Sequence, residues 1–201
     1  MKKNTKKRLL VGCSCCIATG LITAWYVHSH PLVFNESFWE HAHCIGQATT
    51  PLAIYASEHG GRFPAHTNGY GDALLLLEPG VDAALNGPGY DTRAFERARQ
   101  TGAHLPERDC GRVYVPGLSE TNDQAIAILF DKMPTPGGDH CHGLARFVQP
   151  LSREILTIGG WHETVRESDW RTFARHQIEL LVVAGITRGQ AERFYAEAPA
   201  R

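Results

Sequence analysis

The sequence predicts an α+β protein: an N-terminal transmembrane helix, a kinked spine helix packed on a small antiparallel sheet, and a C-terminal helical pair. Three observations predict it. An uncharged apolar run follows a basic N-terminus, an amphipathic stretch ends at a glycine pair, and four short β-rich runs are joined by short loops. A chain of 201 residues, 43% hydrophobic, suits one domain of about 150 residues plus an anchor.

Lys2, Lys3, Lys6, Lys7 and Arg8 make residues 1–8 basic, and Leu9–Val27 then carry no charge. Nineteen residues at about 1.5 Å rise nearly cover a bilayer core of about 30 Å. Trp25 and Tyr26 stand where an aromatic belt lies, and the cations place the N-terminus in the cytoplasm. A single-pass anchor with the C-terminal domain outside is the reading adopted. A signal peptide cleaved after Gly20 or Ala24 is a second reading. Leu10-Val11-Gly12-Cys13 as a lipoprotein box is a third, with three apolar residues before the cysteine where an h-region needs about seven.

Five of the 20 basic residues lie in that tail, so the remainder carries 15 against 21 acids, a net of −6. An acidic domain lacks the basic face that nucleic-acid binding requires. The predicted division is 1–8 tail, 9–27 membrane helix, 28–166 α+β domain and 167–201 helical extension.

The spine is predicted over Glu36–Pro64. Ser37 and Glu40 form a capping box, and Phe38, Ala42, Ile45, Ala48, Leu52 and Tyr55 recur at helical steps. Pro51 cannot donate to the carbonyl of Gln47, which predicts a kink. Gly60-Gly61 ends the helix through a left-handed residue.

Asp72 is expected to cap a short helix through Leu77, and Thr92–Gln100 to form another. The strand candidates are Arg112–Pro116, Ala125–Asp131, Arg153–Ile158 and Trp161–Val165, the last two joined at Gly159-Gly160. Short connections imply antiparallel pairing. Ser168 is expected to cap a helix whose inward face is Trp170, Phe173, Ala174, Ile178 and Leu181. Gly185 stops it, and Thr187-x-x-Gln190 opens a last helix through Tyr195.

Cys44 followed by Tyr55-Ala56-Ser57-Glu58-His59-Gly60-Gly61-Arg62-Phe63-Pro64 resembles the spine helix of type IV pilin-like proteins, especially the major pseudopilins of type II secretion. Gly159-Gly160-Trp161-His162-Glu163 is similar to their closing hairpin, without its aspartate. No Gly-Phe-Thr-Leu-Ile-Glu processing site precedes the apolar segment, so the likeness is to an atypical member. The resemblance implies a bacterial inner-membrane protein with a periplasmic domain, acting by protein–protein contact in secretion or envelope assembly. It also suggests a calcium loop, for which Glu120, Asn122 and Asp123 offer oxygens; a solvated turn is the plainer reading.

Asp139-His140-Cys141-His142 is the sharpest polar cluster, its imidazoles and thiolate suiting zinc or copper. In an extended chain His140 and His142 share one side and Cys141 faces away, so a site needs a bent loop or help from His41 or His43. The alternative function is thus a metal-binding or redox envelope enzyme. On a helix His41 and His43 point apart. Cys13, Cys15 and Cys16 read as small apolar residues of the membrane run. Of the outer cysteines, Cys110 and Cys141 lie in the sheet half and are the predicted disulfide, with Cys44 spare. His162-Glu163 lacks a second histidine for a zinc-protease helix, Ser119 sits in no nucleophile elbow, and the glycine pairs lack a phosphate-loop Gly-Lys. No catalytic role or cofactor is therefore predicted.

Overall fold

The structure, a computed structural model, describes residues 44–87, 93–136 and 149–199. It is α+β, with helices on a small antiparallel sheet. The predicted span Leu9–Val27 lies outside the described residues, among which no helix is long and apolar enough to cross a membrane.

The spine opens differently from expectation. Cys44 is extended, Ile45–Ala48 form a 3-10 turn, and α1 then runs over Thr49–Glu58. Pro51 thereby falls in the first turn of α1, where an amide has no helical partner to lose. The expected kink inside a continuous helix at Pro51 is not what forms: the change from 3-10 to α geometry lies before it, at Ala48–Thr49. Ile45, Ala48, Leu52 and Ala56 make the buried face. Ala56 takes the last core position, while Tyr55 is half-buried and stacks on His59 at 3.8 Å. At the C-terminus Gly60 adopts φ +65° and the Gly61 amide donates to the Ala56 carbonyl at 2.8 Å, the bond that closes a Schellman motif. The capping box at Ser37 lies outside the described residues.

Three short helices follow: α2 (Tyr70–Leu74), α3 (Asp82–Asn86) and α4 (Arg93–Thr101). Asp72 lies inside α2, so it is not the cap. Instead the Tyr70 amide donates to Glu107 Oε1 at 3.0 Å, a cap supplied from 37 residues away that no local pattern reveals. The helix α3 was not predicted; α4 stands where the arginine-rich pattern places it.

The strands are β1 (Arg112–Tyr114), β2 (Ala127–Asp131), β3 (Thr135–Pro136), β4 (Leu151–Thr157) and β5 (His162–Arg166), all paired antiparallel. β2 and β3 lie along one side of β4 and β5 along the other, since Ser152 pairs with both Thr135 and Arg166 and Ile155 with both Phe130 and Glu163. β4 is therefore interior and buried from Ser152 to Thr157, whereas β5 is an exposed edge. Alternation along β4 sends Arg153 and Ile155 to one face and Glu154 and Leu156 to the other. The spine covers the second face.

Helices α5 (Trp170–Val183) and α6 (Arg188–Ala196) cover the first face. Phe130 packs against Trp170 and stacks on Tyr195 at 4.7 Å. Trp170, Leu181, Phe194 and Tyr195 belong to the same buried cluster as Ile45 and Leu52. Ser168 does not cap α5; the residue before the helix is Asp169, and Ser168 Oγ donates to Asp169 Oδ1 instead. The Thr187–Gln190 capping box forms as predicted, and Gly185 closes α5 at φ +94°.

Candidate functional site

The described residues hold two polar constellations. The first lines a surface cavity of about 560 Å³ between α2 and α4, walled by His66, Asp72, Leu76, Arg99 and His104. Gly71 sets its depth, because a Cβ there would lie 2.1 Å from the Leu105 carbonyl oxygen, so α2 rests directly on the chain at 105. That contact brings the buried Asp72 carboxylate onto the Leu105 amide at 2.7 Å. Asn68 Nδ2 donates to it at 3.0 Å, His104 Nδ1 stands at 2.9 Å and His66 Nδ1 at 3.6 Å. Burial pushes this carboxyl up, but the hydrogen bonds from Leu105, His104 and Asn68 outweigh it and hold Asp72 below the usual carboxylate value. Arg99 closes the rim, bonded to both Asp82 oxygens and to the Leu75 carbonyl. The cavity can present imidazole to a ligand. Its walls hold two imidazoles and a carboxylate and no serine, threonine, cysteine or lysine.

The second constellation is buried in the sheet. Arg112 and Asp131 meet at 2.8 Å, and Arg112 Nη2 stands 3.5 Å from Glu154 Oε2, all three side chains being essentially inaccessible. Arg112 also donates to the Ala84 carbonyl, and the Glu154 amide to Asp131 Oδ2 at 2.9 Å. On the opposite face Arg153 forks onto both oxygens of Glu167, at 2.9 and 3.2 Å, and lies 4.6 Å over the Trp170 ring. Its remaining donors reach the Lys132 and Pro199 carbonyls. Charges this deep lose several kcal/mol of hydration, which only multiple partners offset.

The predicted metal ligands His140, Cys141 and His142, with Asp139, His41 and His43, lie outside the described residues. Among the described residues no group of three His, Cys, Asp or Glu side chains is placed to hold a metal ion. Cys141 being outside, only one half of the predicted disulfide is in view: Cys110 is buried, with its thiol 3.8 Å from the Pro106 carbonyl, and burial pushes that thiol up to about 12. Of the three residues offered for a calcium loop, two turn a side-chain oxygen to local amides, Asn122 Oδ1 accepting from the Ser119 amide at 2.7 Å and Asp123 Oδ1 from the Ala125 amide at 2.9 Å. That is a turn holding itself together.

Sequence reasoning missed His66, Asp72 as a hub, His104, and the buried Arg112–Asp131–Glu154 set. One signal existed: charges inside β-rich runs, as in Arg112-Val113-Tyr114 and Arg153-Glu154-Ile155, are rarely tolerated unless paired. No protein-family model matches the chain, and no curated protein or solved structure is detectably similar to it.

Proposed function

We propose that the chain is a membrane-anchored, extracytoplasmic, pilin-like protein that acts structurally, by contact with other proteins of a secretion or envelope assembly. The observation that carries this reading is how Tyr55–Pro64 is used. After the Schellman turn, Arg62 bridges to Ser119, the Phe63 amide donates to the Leu118 carbonyl at 3.1 Å, and the buried Tyr114 hydroxyl donates to the Pro64 carbonyl at 2.9 Å. The segment that carries the resemblance thus ties the end of the spine to the sheet. A domain held to a membrane through its N-terminal side needs such a fastening to carry force from the anchor. The exposed β5 edge and Trp161, 66% accessible, offer a surface on which another chain can add.

The test is the intact mass and native size of the protein extracted from its own membrane in mild detergent. A full-length mass within an assembly larger than the monomer is the expected result. A mass beginning at Cys13 with lipid, or after Gly20 or Ala24, overturns the anchor, and a full-length monomer overturns the assembly role.

A further inference from the structure

A second cavity, of about 310 Å³, opens where the first turn of α1, the turn at 118–124 and the tip of the β4–β5 hairpin meet. Backbone bonds fix its frame. The Glu120 amide donates to the Gly61 carbonyl at 2.8 Å, and the Gly159 amide to the Gln124 carbonyl at 3.0 Å. The hairpin tip also rests on α1, since a Cβ on Gly160 would lie 3.2 Å from Thr49 Cγ2. The floor is apolar: Leu52, Phe63, Ile128 and Leu156 line the cavity, and all four are buried. The rim is polar and one-sided. Gln124 spends its Nε2 on the Glu120 and Asn122 carbonyls, at 2.9 and 3.2 Å, which leaves Oε1 as an acceptor. Glu120 is the one acidic or basic residue of the lining, and among the described residues its carboxylate has no hydrogen-bond or ion-pair partner.

A ligand matched to this lining carries hydrocarbon for the floor and a cationic donor for the rim. A carboxylate or phosphate would meet Glu120 as a like charge. A primary ammonium on an aliphatic stem suits both parts, its three N–H donors the rim acceptors and its methylenes the buried floor. We propose that this cavity binds such an alkylammonium, with Glu120 as its counter-charge. The same chemistry comes from two sources, the lysine side chain of another protein and a free alkylamine. An exposed carboxylate alone holds a cation weakly. Burial of the stem on the apolar floor supplies the rest of the affinity. Neither part involves a membrane anchor or an assembly, so the mass measurement above and the test below fail independently.

The probe is n-butylammonium, the stem and head of a lysine side chain, titrated onto the full chain in mild detergent and followed by saturation-transfer NMR. Saturable binding with a Kd on the order of 1 mM is expected. The uncharged n-butanol and the oppositely charged butyrate bind about three-fold or more weakly. Glu120→Gln, at an exposed position whose backbone bond to Gly61 is kept, weakens butylammonium by a similar factor. Ala53→Leu, on the cavity wall at an exposed helix position, abolishes saturable binding with Glu120 in place and the circular dichroism spectrum unchanged. Competition by N-acetyl-lysine-N′-methylamide at least as tight as butylammonium assigns the site to a lysine side chain, and weaker competition to a free amine. No saturable binding, butanol as tight as butylammonium, or an affinity that both variants leave unchanged overturns the assignment.

Discussion

Asp72 spends its carboxylate on groups from two segments, residues 66–68 and 104–105, which α2 alone would leave apart. Asp72→Asn keeps the shape but turns one acceptor into a donor facing the Leu105 amide or the Asn68 and His104 donors. A cost of about 1–3 kcal/mol at pH 7 follows, read as a shift in the urea midpoint. The pH dependence has a definite sign. The folded-state value of Asp72 is lowered, so its stabilisation is complete above the ordinary carboxylate value and is lost as pH falls through the lowered one. The gap between wild type and variant should therefore narrow below about pH 4; a gap that widens in acid would sink the assignment. Nothing local in Asn68–Asp72 announced this role. The sequence signals a helix start by an acid near it, and here the acid serves tertiary contacts while Glu107 does the capping.

Gln177, on α5, replaces a missing rung of the sheet. β2 is irregular between Ala127 and Leu129 in its pairing with β4. Where the ladder lapses, Gln177 Oε1 accepts from the Ala127 amide at 2.9 Å and Nε2 donates to the Ala125 carbonyl at 3.0 Å. Gln177→Leu keeps volume and helix propensity but leaves the buried Ala127 amide unpaired, while the exposed Ala125 carbonyl can turn to water. The expected loss is about 1–3 kcal/mol, against less than about 0.5 kcal/mol for an exposed control such as Arg175→Leu. Equal losses in the two variants would show that α5, not the bulge, sets the cost. Elements with strong local chemistry were legible here: the glycine stops at Gly60 and Gly185, the Thr187–Gln190 box, the hairpin and four of the five strands. Those decided by distant partners were not. Gln177 reads as one more polar residue of an amphipathic helix. β3 is two residues long and carries no periodicity, and α3 is held by its packing against the spine turn and by the Arg112–Ala84 bond rather than by a repeat of its own.

At the scale of the whole molecule, the last described residues act as a clasp rather than a tail. Glu197 Oε2 accepts from the Tyr70 hydroxyl at 2.5 Å and stands 3.5 Å from Lys132 Nζ. The Trp170 indole donates to the Ala198 carbonyl at 2.7 Å, and Arg153 to the Pro199 carbonyl at 2.7 Å. Three residues thus join α2, the residue after β2, β4 and α5, which are elements far apart along the chain. Stopping the chain after Ala196 removes acceptors from four buried donors. Tyr70 and Lys132 keep the Glu107 carbonyl and Arg153 keeps Glu167, while the Trp170 indole keeps no other acceptor. One buried donor left unpaired costs about 1–3 kcal/mol, a sizeable part of the roughly 5–15 kcal/mol that holds a domain together. The shortened chain should unfold at a lower urea concentration. Because the clasp joins these elements, the tryptophan fluorescence change and the loss of far-ultraviolet helix signal should still coincide, as in the full chain. If α5 and α6 instead melted first while the sheet persisted, the C-terminal pair would be a separate unit leaning on the sheet, and the shared core built around Phe130, Trp170 and Tyr195 would not be what couples them.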